Sequence, residues 1–233
     1  GGNRYTRYYF GQETGENAKP FRFPPVDNWE ELRKQANEAV MPAALATGEA
    51  VTLVDVATIP NVKIENVYAG VDNIFGAPLY TVNKLYLGSK AVEALTKVQE
   101  RLASKGYGLV VWDAYRPWAV SKLAHLALPA DKKYMLEDPD LKGNKHNTGN
   151  AVDVSLYDLE TGEAIEMSSG FDEPSMRQYA SYPGGTERQR YLRTMLRETM
   201  EEFGFAGIEM EWWHFEYDIQ GSYAHQNIPL NNL

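Results

Sequence analysis

The sequence predicts an α+β fold, a single domain with an antiparallel sheet flanked by helices. Three observations predict it. Runs with strand-like alternation and runs with helical spacing are mixed along the chain without a regular strand–helix–strand cycle, which argues against a parallel α/β sheet. No internal repeat or low-complexity block divides the 233 residues. A chain of this length, 43% hydrophobic and 24% charged, buries about 70% of the surface its unfolded form exposes, enough for an ordinary core without cross-links.

Residues 1–27 are polar and rich in Gly, Asn and Pro, with Tyr5, Tyr8, Tyr9, Phe10, Phe21 and Phe23 among them; they read as an extended arm over the domain. Asp27 or Asn28 can cap a helix from near Trp29 to about Val40, with Pro42 as a stop signal. The arm and first helix, residues 1–45, are expected to pack with residues 46–233 as one globular unit. Val51 to Ile59 alternates enough to be a strand, ended by Pro60, and Asn66 to Tyr80 reads as loop with a short strand. Ser89 can cap a helix that presents Val92, Leu95, Val98 and Leu102 on one face and stops at Gly106. The apolar run Gly108 to Trp112 predicts a buried strand, and Pro117 suits the first turn of a helix through about Leu126. Residues 129–148 are polar and read as loop, and Ala151 to Leu156 as a strand. Thr186 and Gln189 form a capping-box pattern opening a helix with Leu192, Met195, Leu196, Thr199 and Phe203 on one side and Gly204 at its end. Ile208 to Tyr217 reads as a last strand or strand pair.

Twenty-three Lys and Arg against 32 Asp and Glu leave a net charge of −9, which disfavours a nucleic-acid partner because phosphate binding rests on clustered cations. No run of about 18 apolar residues predicts a membrane-spanning helix. Cysteine is absent, which removes disulfides, thiolate metal sites and cysteine nucleophiles together, and leaves the compartment open. The start at Gly1-Gly2 reads as processed or trimmed and leans the expected location toward periplasm or cell envelope.

There is no GxxxxGKS/T phosphate loop, no GxGxxG after a strand, no GxSxG elbow and no HExxH, so attention falls on the four histidines. His125 and His225 read as ordinary hydrogen-bonded or surface residues. His146 ends a loop, Gly149 permits a tight turn, and Asp153 follows on a strand, so one loop-to-strand turn can aim an imidazole and a carboxylate at one point; both are ordinary zinc ligands. Glu211 and His214, three apart in Glu211-Trp212-Trp213-His214, can converge in the same way. Asp113-Ala114-Tyr115-Arg116-Pro117 leaves a buried strand, where functional groups often sit. Taken separately, an Asp–Arg salt bridge or an aromatic core strand would account for the last two segments.

Taken together and in order, DxYRP, HxxGxAxD and ExWH resemble the D-alanyl-D-alanine dipeptidases of the VanX type, within a wider group of zinc peptidases that includes D,D-carboxypeptidases and the hedgehog signalling-domain fold. The resemblance runs from about Val51 to about Tyr217 and takes in Val71-Asp72-Asn73-Ile74-Phe75-Gly76 and Met167-Ser168-Ser169-Gly170-Phe171-Asp172. It implies one zinc ion per chain, held by His146, Asp153 and His214, with water at the metal as nucleophile. Glu211 is then the general base and acid and Arg116 the transition-state cation, supported by Asp113. Asp172 grips the free amine of a small dipeptide, and Tyr115, Trp212 and Trp213 are candidate pocket walls. Two departures stand out. Asn144 occupies the place of the family's usual Ser, which helps hold the substrate carboxylate, and the loop from Arg116 to His146 is short. Hydrolysis of D-alanyl-D-alanine is the activity the resemblance implies. A zinc D,D- or L,D-carboxypeptidase on longer peptidoglycan peptides, and a non-catalytic metal-stabilised binding module, are the alternatives.

Overall fold

The computed structural model describes residues 21–233, so the expected arm before residue 21 lies outside the described residues. In chain order the strands are β1 (Leu53–Asp55), β2 (Lys63–Ile64), β3 (Tyr86–Gly88), β4 (Tyr107–Asp113), β5 (Ala151–Asp158), β6 (Phe205–Gly207) and β7 (His214–Tyr217). The helices are α1 (Trp29–Glu38), α2 (Ser89–Ala103), α3 (Trp118–Ala127) and α4 (Glu187–Glu202). Five strands form one sheet in the order β2-β4-β5-β7-β6, while β1 and β3 pair by themselves. The α+β expectation therefore stands, with one difference: β2 runs parallel to β4. A parallel pair needs a long crossover, and α2 lies within the one between β2 and β4.

The apolar faces read from the sequence account for the core. Val92, Leu95, Val98 and Leu102 of α2 are buried, as are Leu192, Met195, Leu196 and Thr199 of α4. The two helices pack on each other and against β4 and β6. Each fully buried Leu or Val contributes roughly 1.5–3 kcal/mol. Helix α1 packs on α3 and is tied to the loop before β3 through Arg33, which donates to the carbonyls of Leu79 (2.9 Å) and Pro78 (2.6 Å).

Local chemistry explains where elements differ from expectation. The strand expected over Val51 to Ile59 is only three residues long, because Asp55 accepts from Ala57 N at 2.9 Å and Thr58 Oγ1 donates to Asp55 O at 2.7 Å, closing a 3₁₀ turn over Val56–Thr58. The strand expected within Asn66 to Tyr80 is replaced by a 3₁₀ turn, Val67–Ala69, which the Asn66 side chain caps. Ser89 does not cap α2: it is the first helical residue, its N–H bonds Thr52 O at 2.8 Å, and Gly88 takes the cap position. The capping box at α4 forms as expected, with Gln189 N donating to Thr186 Oγ1 (3.1 Å) and Thr186 N to Gln189 Oε1 (2.9 Å).

Candidate metal centre and active site

Strand register assembles the centre of the site. Asp153 of β5 lies opposite His214 of β7 on one side and Asp113 of β4 on the other. Directly opposed residues in an antiparallel ladder project to the same face, so these three side chains form one row across the sheet. A bulge in β4 makes this possible. Val110 pairs with Ser155 and Val111 with Val154, after which the register skips Trp112 and Asp113 meets Asp153. The extra residue resets the side-chain alternation and turns Asp113, rather than Trp112, onto the face of Asp153.

His146 enters from the turn before β5. Lys145–Thr148 is a 3₁₀ turn ended by Gly149 at φ +82°. Any side chain there would be strained, and a Cβ would come within 2.8 Å of Leu53 Cδ2. Asn144 opens the turn: its Oδ1 accepts from His146 N at 2.9 Å, while Asn147 Oδ1 accepts from Asn144 N at 2.8 Å. The Asn144 carbonyl oxygen thus orders the turn that carries His146. Buried Asn147 also donates to Arg116 O (2.8 Å) and Ser121 Oγ (2.9 Å), joining this turn to the segment after β4.

Asp153 touches both histidines, at 3.3 Å to His146 Nε2 and 3.0 Å to His214 Nδ1. One nitrogen from each ring and one carboxylate oxygen all lie within 4.8 Å of one another, and all three residues are buried. The remaining ring nitrogens are occupied: His146 Nδ1 donates to Ala114 O at 2.7 Å, and His214 Nε2 lies 3.3 Å from Glu216 Oε1. His146 therefore offers Nε2 to the cluster and His214 offers Nδ1. Burial opposes a charge on His214, but Asp153, Glu216 and Glu211 outweigh it and push its pKa up to about 10. Burial likewise opposes the Asp153 charge, and His146 and His214 outweigh it, holding the carboxyl well below its usual range. A cluster whose carboxylates draw positive charge onto His214 suits a cation. Two imidazole nitrogens and a carboxylate oxygen are a donor set that suits a divalent metal ion.

Glu211 stands beside the cluster, 4.0 Å from His214 Nδ1, with its side chain 39% exposed. Crowding by protein atoms, and then the charges of Asp153 and Asp172, outweigh the histidines and push its pKa up to about 7. Arg116 is buried and bonds Asp113 Oδ2 through Nη2 (2.5 Å) and Nε (3.2 Å). Burial disfavours its charge, but Asp113, Tyr80 and Tyr68 more than restore it. Tyr80 Oη donates to Asp113 Oδ1 at 2.9 Å, and the Arg116 guanidinium lies 5.4 Å from the Tyr68 ring centroid. Tyr68 in turn donates to Asp172 Oδ2.

Asp172 sits at φ +55° on a loop pinned by its neighbours. Phe171 packs edge-on against Tyr68 and Trp213, and Glu173 is fully buried, accepting from Gly170 N (3.0 Å), Ser175 Oγ (2.5 Å) and Arg177 Nε (2.9 Å). Trp212 Nε1 donates to Ser169 Oγ at 2.7 Å, so the two tryptophans anchor this loop from the core side. Tyr115 is not brought to the cluster by its polar end: its hydroxyl exchanges bonds with the Ile228 main chain, at 2.8 and 3.1 Å. His225 bonds Leu45 O at 3.1 Å, and His125 lies on α3, so neither joins the site. Sequence reasoning missed Tyr68, Tyr80, Glu173 and Glu216. Nothing in the spacing links Tyr68 to Asp172, 104 residues on, but strand alternation after His214 already puts Glu216 on the ligand's face.

Residues 49–230 match the M15 peptidase family described as D-ala-D-ala dipeptidase. The chain is 37% identical to the D-alanyl-D-alanine dipeptidase of Escherichia coli over 172 residues, covering 73% of this chain and 87% of that protein. It is 37% identical to the enzyme of that name from Enterococcus faecalis, covering 64% of this chain and 82% of the relative. The corresponding values for Enterococcus faecium are 32%, 67% and 86%. With a register-built His–Asp–His cluster and a family match spanning most of its length, this chain belongs to the D-alanyl-D-alanine dipeptidase family of M15 metallopeptidases.

Proposed function

We propose that the protein hydrolyses D-alanyl-D-alanine to two D-alanines in a zinc-dependent reaction. The observation that carries this reading is a cation-seeking cluster flanked by Glu211 on one side and the Asp113–Arg116 pair on the other, in a chain of this family. His146 Nε2, Asp153 and His214 Nδ1 would hold the zinc, which would supply Lewis acidity toward water near neutral pH. Glu211, beside the cluster and with an open face, takes the water's proton and returns it to the leaving amine, a role typically contributing about 10²–10⁴-fold. Arg116 keeps its charge and presents fixed donors to the developing oxyanion, while Asp113 and Tyr80 hold it in place. Asp172, oriented by Tyr68, accepts the substrate's free ammonium. An acid that reads the free amine favours a dipeptide over a longer wall peptide, because only the dipeptide carries its free amine on the residue that supplies the scissile carbonyl.

The test compares zinc-loaded protein on D-alanyl-D-alanine and on a pentapeptide ending in the same pair. Release of D-alanine from the dipeptide alone is expected, with loss on chelation and a fall of at least about 10²-fold in Glu211→Gln at unchanged metal content. Equal cleavage of the pentapeptide would replace this reading with the carboxypeptidase one. Metal binding without cleavage of either would leave a binding module.

A further inference from the structure

The two histidines of the cluster are held from behind by different groups. His146 Nδ1 donates to a neutral acceptor, the Ala114 carbonyl. His214 Nε2 faces a carboxylate, Glu216 Oε1, at 3.3 Å. Register explains why Glu216 is available. It stands two residues after His214 on β7 and so projects to the same face, and its direct neighbours in the ladder are Ala151 on β5 and Ala206 on β6. Neither alanine offers a competing donor or a bulky side chain. The Glu216 side chain is 20% exposed, which leaves the pair largely screened from water.

Resting on the zinc reading above, we propose that Glu216 is a positioning residue for the metal: by accepting the Nε2–H of His214 it fixes the tautomer that presents Nδ1, and its negative charge makes that nitrogen the stronger donor of the two. A carboxylate behind a ligating histidine acts in this way generally, and losing such a partner typically weakens metal binding by about 10–100-fold. Glu216 touches neither substrate nor reacting atoms. Its effect reaches the reaction through how firmly, and with what electron density, His214 holds the ion.

The experiment measures zinc affinity by competition with a chromophoric chelator, and the visible spectrum of the cobalt-substituted protein, for wild type, Glu216→Gln and Glu216→Ala. The expected order of affinity is wild type, then Glu216→Gln, then Glu216→Ala, with the alanine variant about 10–100-fold weaker and both variants shifted in the cobalt spectrum. Metal-free far-ultraviolet circular dichroism checks the fold. Should Glu216→Ala fail to fold, the isosteric Glu216→Gln decides alone. Identical zinc affinities and cobalt spectra in folded wild type and variants would overturn the role of Glu216 and leave the dipeptidase reading intact. Wild type binding neither zinc nor cobalt would overturn the metal reading itself, and this inference with it.

Discussion

At the metal cluster, position is set by backbone: Asp113, Asp153 and His214 share one row because three strands pair side by side, and His146 arrives on the four-residue turn Lys145–Thr148 just before β5 begins. At the Asp172 loop, position is set by side chains: Tyr68 from one segment, Glu173 and Arg177 within the loop, and Trp212 from beneath. The first arrangement fails as a unit if a strand slips, since one residue of slip reverses every side chain. The second rests on separate contacts and can be retuned one residue at a time. Under the proposed function, the difference puts the chemical step on the sheet and the acid that reads the substrate's amine on the loop.

The comparison can be broken first at its rigid end. Asp153→Ala removes the group that touches both histidines and leaves two imidazoles without their shared carboxylate. The expected result is loss of stoichiometric metal by atomic absorption together with loss of D-alanine release, the largest effect of the series. Arg116→Lys keeps a positive charge but gives up the two-point grip on Asp113, so kcat falls by about 10²–10³-fold while metal content stays unchanged, as steady-state kinetics paired with metal analysis would show. At the loop end, Glu173→Ala leaves the donors of Gly170, Ser175 and Arg177 without their buried acceptor. It should lower stability by about 1–3 kcal/mol in urea titrations and raise KM more than it lowers kcat, because Asp172 loses its support.

The smallest effect sharpens the comparison by pH. In the cation-free protein the His214 pKa is pushed up to about 10, above its ordinary value, so the stabilisation from its pairing is full below about pH 6.5 and is lost as pH rises through 10. A metal ion must displace the Nδ1 proton. Metal binding near pH 7.5 should therefore release about one proton and strengthen as pH rises, measurable by calorimetry in two buffers of different ionisation enthalpy.

Much of this protein is determined by sequence alone. The apolar spacing of α2 and α4 names their buried faces, Thr186 and Gln189 mark the start of α4, and the resemblance carried by DxYRP, HxxGxAxD and ExWH points to His146, Asp153, His214, Glu211 and Arg116. The helix signals are local, carried by periodicity and by residues a few positions apart, whereas the three motifs inform only through the family resemblance they carry together. Tertiary structure decided what depends on pairing between distant segments: the parallel placement of β2, the bulge that turns Asp113 toward Asp153, the Tyr68–Asp172 contact, and the carboxylate behind His214. It also gave the oxygen of Asn144 to its own turn and the hydroxyl of Tyr115 to the Ile228 main chain. Hydrogen-bonding groups have several candidate partners in a linear chain, and only the packed fold fixes which of them come within 3 Å or so.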